Sequence, residues 1–224
     1  MKAVIFDLYE TLITEWGKPK YLTRDVAADL AVDYERFRQA WHALGNDRFT
    51  GKYARVQDAY AQALTSIGVH RDAQLLAKIA DKRTQSKRAC FDPIAPAIID
   101  LLTVLKNGGY KIGLISNCAP EEIVGLQDCA LFPYLDAVVL SCEVGMRKPN
   151  ADIYTHCLSL LGEQAADCYF VGDGGSDELR GAKEVGLTPL RALWFIKHFA
   201  KNLDTDATYP AFYAPAEALK YINQ

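Results

Sequence analysis

The run Ala3-Val4-Ile5-Phe6 closing on Asp7 constrains the fold more than any other feature of the chain. Four consecutive apolar residues without polar alternation describe a strand buried on both faces, and such strands belong to parallel sheets covered by helices. A carboxylate at the carboxyl end of that strand stands where open α/β sheets hold their ligands. Asp7 is therefore the first candidate for a nucleophile.

From about residue 93 the sequence alternates between helical and strand patterns. Ala95 to Asn107 has helical apolar spacing stopped by Gly108-Gly109, and Tyr110 to Ile115 reads as a strand. Pro120 is expected to open a further helix, Ala137 to Leu140 a strand, and Ala151 to Leu161 a helix ended by Gly162. Cys168 to Val171 follows as a strand, then a helix from about Ser176 to Val185 and a strand around Pro189 to Leu193. Thr208 to Ile222 reads as an edge strand and a short helix. Residues 16–90 differ, because Asp33 to Leu44, Tyr53 to Ile67 and Asp72 to Arg88 have helical periodicity with no strand between them. The expected architecture is an α/β, Rossmann-like parallel sheet covered by helices, with a helical cap inserted after the first strand. Residues 1–15 and 91–224 would form the catalytic core and 16–90 the cap, placed over Asp7.

The 224 residues, half of them hydrophobic, suffice for a core domain and a smaller companion. A net charge of −3 with interspersed signs leaves no basic stripe for nucleic acid. No apolar run approaches the ~20 residues that cross a bilayer, and the first residues are a strand pattern rather than a secretory signal. The reading is a soluble, cytoplasmic protein with no membrane partner. Six cysteines without Cys-x-x-Cys or Cys/His spacing are expected to be reduced and mostly buried.

Four segment ends deliver polar residues to one sheet edge: Asp7, Ser116-Asn117, Lys148, and Asp173 with Asp177. Carboxylates, a hydroxyl and an ammonium together make a site for a small anionic substrate with a divalent cation, and hard oxygen ligands suit Mg2+. Asp7-x-Tyr9-x-Thr11, Ile115-Ser116-Asn117, Arg147-Lys148-Pro149-Asn150 and Gly172-Asp173-x-x-x-Asp177 resemble, in order, the four motifs of the haloacid dehalogenase-like (HAD) hydrolases.

The resemblance implies that Asp7 attacks phosphorus or carbon to form a covalent aspartyl intermediate that water then hydrolyses. It implies that Thr11 and Ser116 position groups, that Ser116-Asn117 binds substrate, and that Lys148 neutralises charge on the nucleophile and transition state. Magnesium would be held by Asp7, the backbone carbonyl of Tyr9, Asp173 and Asp177. Acidic residues in the fourth motif resemble the family's metal-dependent phosphatases, whereas Asp-x-Tyr-x-Thr in the first resembles its metal-independent 2-haloacid dehalogenases. Extra carboxylates beside Asp7 repel one another without a cation, which favours a magnesium-dependent phosphatase of small phosphate esters. The alternatives are a dehalogenase and a catalytically weak binding or regulatory member. Tyr9 replaces the aspartate that normally moves the proton, a function worth about 10²–10⁴-fold.

Plainer roles compete for other residues. Cys118 reads as packing rather than as a second nucleophile, and the four histidines stand singly. Arg36, Arg38, Arg48, Lys52 and Arg55 read as the solvated face of the cap's helices rather than as substrate ligands.

Overall fold

The computed structural model describes residues 2–198 and 208–222. Six strands form one parallel sheet: β1 (Ala3–Phe6), β2 (Lys111–Ser116), β3 (Ala137–Leu140), β4 (Cys168–Gly172), β5 (Thr188–Ala192) and β6 (Ala211–Phe212). Their spatial order is β3-β2-β1-β4-β5-β6. The order reverses between β1 and β4, where Ala3 pairs with Cys168 and Phe6 with Val171. Open α/β sheets bind ligands beyond their strand ends at such a reversal. All four side chains of β1 are buried, as its unbroken apolar run requires.

Between residues 23 and 88, after β1, lie five α-helices: α1 (Thr23–Asp29), α2 (Tyr34–Ala43), α3 (Gly45–Phe49), α4 (Val56–Ser66) and α5 (Ala73–Arg88). The Asp33 carboxylate caps α2 by accepting from the amide of Arg36 at 2.8 Å, and Asp72 caps α5 through the amide of Leu75 at 2.8 Å. These helices share an apolar cluster of their own that includes Val26, Leu30, Phe37, Trp41, Tyr60, Leu64 and Ile79. The sheet has two further clusters, one on each face. One gathers under α6 (Pro96–Asn107) and α10 (Pro215–Ile222), and the other under α8 (Ala151–Leu161) and α9 (Glu178–Val185).

Two helical expectations need correction. The helix expected from Pro120 is only a single 3-10 turn over Pro120–Glu122. Its side chains Glu121 and Glu122 are buried against cations of the insert, and Gly125 packs so tightly on the Phe91 ring that a Cβ there would overlap it. A short helix, α7 (Ser141–Val144), follows β3 instead. Helix α9 also starts later than expected, at Glu178, because Ser176 and Asp177 have φ of 55° and 57°. That small change decides which acidic side chain faces the sheet.

Among the described residues no helix is long and apolar enough to cross a membrane.

Helix α9 is held against the segment after Lys148 by close backbone approach. A Cβ at Gly181 would land on the Pro149 carbonyl oxygen and lie 2.9 Å from the Tyr154 hydroxyl. Gly181→Ala should therefore push α9 outward and destabilise the protein by about 1–3 kcal/mol, the usual cost of overpacking. Urea denaturation of the variant against wild type checks this.

Candidate active site

Asp7 extends the ladder of β1, its amide donating to the Val171 carbonyl at 2.9 Å. This hydrogen bond fixes the carboxylate at the reversal between β1 and β4. The Lys148 ammonium lies between two carboxylates and donates to both Asp7 and Glu178. The side chains of Lys148 and Glu178 are each 2% exposed, so the ion triad is almost sealed from water. Burial works against the Lys148 charge, but the two carboxylates outweigh it and hold its pKa above the ordinary lysine value.

Asp7, Asp173 and Glu178 present one carboxylate oxygen each within 4.8 Å of one another. Burial, and then the charge of Asp7, raises the pKa of both Asp173 and Glu178 above ordinary carboxylate values. Three acids against one ammonium leave negative charge that a second cation would relieve, and hard oxygen donors suit magnesium.

Asp177, the residue expected beside Asp173, stands outside this group. Its side chain is 60% exposed and pairs with Arg180 at 2.7 Å on the outer face of α9. The left-handed backbone at Ser176 and Asp177 turns the chain so that Glu178, the first residue of α9, points inward. Glu178 also accepts from the Gly174 amide at 3.2 Å, and a Cβ at Gly172 would overlap its carboxylate. The glycines of this loop thus make room for a carboxylate of the chain itself. The signal in the sequence was the pair Asp173 and Glu178, five apart across the turn into the helix.

The other expected residues divide into three situations. Ser116 ends β2 and is buried at the same edge. Thr11 is fully buried, its carbonyl accepting from the Trp194 indole at 2.9 Å, while its hydroxyl has no partner among the described residues. Asn117, expected to touch substrate, instead uses both ends of its amide on the Lys148 backbone, at 2.9 Å each. It positions the lysine.

Tyr9 points away from proton chemistry. Its hydroxyl donates to the Glu122 carbonyl at 2.8 Å, and its ring lies 4.8 Å from the Lys87 ammonium. Burial first, and then Glu122, raises its pKa well above the ordinary tyrosine value. It cannot act as a base near neutral pH.

Tyr9 belongs to a buried charge network that joins the insert to the strand-end loops. Arg48 lies over the Trp41 ring at 3.7 Å and pairs with Glu121 at 3.1 Å. Arg83 and Lys87, one turn apart on α5, each reach Glu122 at 3.3 Å, and Lys87 also reaches Glu15 at 2.6 Å. The Arg147 guanidinium donates to the Asn46 side chain at 3.0 Å. Arg48 was expected on a solvated face, and the structure corrects this: it is buried at the junction. Arg38, Lys52 and Arg55 do pair locally with Glu35, Asp47 and Asp58. The Arg83/Lys87 spacing of four residues was the available sequence signal for a cationic helix face.

Two measurements test this electrostatic arrangement. Lys148→Met leaves two buried carboxylates without their cation and should lower stability in metal-free buffer by about 3–5 kcal/mol in urea denaturation. Burial tends to raise the Glu122 carboxyl, but Lys87 and Arg83 prevail and hold it below the ordinary value. A depressed folded pKa contributes stability that is complete above the unfolded carboxylate pKa of about 4.3 and is lost as pH falls through the folded value. The urea midpoint should therefore drop on acidification below that range, with a shallower drop in Glu122→Gln.

The family model for haloacid dehalogenase-like hydrolases matches residues 1–186. The chain is 39% identical over 198 residues to the N-acylneuraminate-9-phosphatase of Mus musculus, covering 84% of this chain and 80% of that one. It is 26% identical over 200 residues to the glyceraldehyde 3-phosphate phosphatase of Methanopyrus kandleri, covering 85% and 83%. Among solved structures, a 2-haloacid dehalogenase from Pseudomonas syringae superposes with a TM-score of 0.71 at 20% identity, over 100% of this chain and 98% of that one. A HAD phosphatase from Thermococcus onnurineus gives 0.66 at 20% identity, over 99% and 98%. With its strand-end aspartate, buried lysine and acidic pair in this order on a parallel sheet, the chain belongs to the haloacid dehalogenase-like hydrolases.

Proposed function

We propose that the protein is a magnesium-dependent phosphatase of small phosphate esters, working through an aspartyl-phosphate on Asp7. The observation that carries this reading is the convergence of Asp7, Asp173 and Glu178 within 4.8 Å around a single ammonium. A displacement of halide from carbon needs no such density of negative charge, whereas transfer of a phosphoryl anion needs cations to offset it. The relatives named as phosphatases of N-acylneuraminate 9-phosphate and glyceraldehyde 3-phosphate support the same substrate class.

The residues that would hold magnesium are Asp7, Asp173 and Glu178, with the Tyr9 carbonyl as a backbone ligand. When bound, the ion would supply positive charge to the nucleophile and to the transferring group. Lys148, braced by Asn117, donates to the Asp7 carboxylate and orients it for attack on phosphorus. Ser116 and the unpartnered Thr11 hydroxyl would donate to phosphoryl oxygens or to the nucleophile's loop. The helical insert, residues 16–90, acts as a cap that excludes water from this edge, and the core comprises residues 1–15 and 91–224.

With Tyr9 fixed to the Glu122 carbonyl, no side chain at that position protonates the leaving oxygen. Turnover should therefore favour esters whose leaving group needs no proton. p-Nitrophenyl phosphate should be hydrolysed faster than an alkyl phosphate by a large part of the ~10²–10⁴-fold that acid–base assistance contributes. The rates should depend on magnesium and vanish in Asp7→Asn. Equal rates on both esters would sink the leaving-group argument, and metal-independent halide release from 2-chloropropionate would replace the phosphatase reading with a dehalogenase. Tyr9→Asp should raise the alkyl phosphate rate. Binding has its own readout: magnesium should raise the melting temperature of wild type, and this shift should shrink in Asp173→Asn and Glu178→Gln.

A further inference from the structure

Cys118 and Cys142 occupy equivalent places on neighbouring strand exits. β2 and β3 run parallel with Ser116 opposite Leu140, and each cysteine follows two residues later. The register therefore brings the two side by side, and their Sγ atoms are 3.9 Å apart. A sulfur shift of about 2 Å, within reach of a side-chain rotation, would bring them to the ~2.05 Å of a disulfide. Backbone links already join the two exits: the Cys118 amide donates to the Ser141 hydroxyl at 2.9 Å, and that hydroxyl donates to the Cys118 carbonyl at 3.2 Å.

The two thiols are not equivalent. Cys142 is the one cysteine of the six that is not buried, whereas Cys118 is fully enclosed. The contact between the two sulfurs lowers the pKa of Cys142, while that same contact and then burial raise Cys118 well above the ordinary thiol value. A thiol that solvent can reach, backed by a second thiol in contact, is the arrangement by which cysteine pairs respond to oxidants. By contrast, burial pushes Cys157 up to about 12 and raises Cys168 as well.

We propose that Cys118 and Cys142 form a reversible disulfide, with a hydroperoxide as oxidant, and that this bond couples the redox state of the protein to its active site. The Cys142 thiolate attacks the terminal peroxide oxygen, the O–O bond breaks, and the departing oxygen leaves as water or an alcohol. Cys142 is then a sulfenic acid. The Cys118 sulfur attacks the Cys142 sulfur, an S–S bond forms, the S–O bond breaks, and the hydroxyl leaves as water with the Cys118 proton. Two electrons pass from the sulfurs to one peroxide.

Both ends of this bond bear on the site. Cys118 adjoins Asn117, whose amide holds the Lys148 backbone. The Cys142 carbonyl is packed against Gly51 of the insert so closely that a Cβ there would overlap it. Drawing the sulfurs together pulls on the lysine brace and on the surface where the insert rests.

The full chain, treated with hydrogen peroxide, alkylated and digested without reduction, tests the site by mass spectrometry. The expected result is one cross-linked peptide pair joining Cys118 to Cys142, with two of the six thiols lost to alkylation and regained with dithiothreitol. Cys142→Ser should form no cross-link, and Cys118→Ser should leave Cys142 to accumulate as sulfenic or sulfinic acid. Wild-type thiols that all stay alkylatable, a cross-link between other cysteines, or direct passage of Cys142 to sulfinic acid would overturn the assignment. The coupling rests on the phosphatase reading and has a separate readout. Oxidation should lower the p-nitrophenyl phosphate rate severalfold in wild type, reversibly, and leave the rate of Cys142→Ser at its unoxidised level. A cross-linked enzyme with an undiminished rate would refute the coupling while leaving the disulfide standing.

Discussion

The Lys148 ammonium between Asp7 and Glu178 is the interaction on which the site depends. A buried charge is costly unless paired, and here each of three charges is buried because of the others. The pairing requires three separate parts of the chain to meet: the end of β1, the loop before Pro149, and the first residue of α9. Asn117 fixes the lysine through its backbone, so β2 contributes as well. The parallel sheet supplies the common edge, and the reversal of strand order between β1 and β4 supplies the crevice.

The helical insert meets this edge through a set of buried charges. Arg48, Arg83 and Lys87 meet Glu121, Glu122 and Glu15. The Arg48 and Arg83 Nε atoms and the Tyr60 hydroxyl are buried without partners among the described residues. An interface of this kind is specific in register, because misplacing one charge strands another. Tyr9 belongs to this interface by its hydroxyl and to the catalytic loop by its backbone. The Tyr9 side chain thus serves the docking of the insert.

Much of the architecture was legible because its signals are local. The apolar run before Asp7, the alternation after residue 93 and the strandless stretch between them placed the sheet and the insert. Ala137–Leu140 and Ala151–Leu161 coincide with their expected bounds. The failures lie where tertiary contacts override periodicity. The segment after Pro120 has a helical start but is held as a turn by Glu121, Glu122 and Gly125, whose partners are distant in sequence. Arg48 reads as a surface cation until Trp41 and Glu121 are known to enclose it.

The sequence by itself determined the parallel sheet, the position of Asp7 at its edge and the company of Ser116, Lys148 and Asp173, because strand ends and their spacing are properties of neighbouring residues. Only the tertiary structure decided which acid completes the group. Asp177 and Glu178 are adjacent and chemically alike, and the choice rests on two left-handed residues that turn one outward to Arg180 and the other inward to Lys148. The structure likewise decided that Asn117 braces the lysine, that Tyr9 faces the insert, and that Cys118 meets Cys142. Each of these depends on a partner 23 or more residues away, and no local pattern records such a meeting.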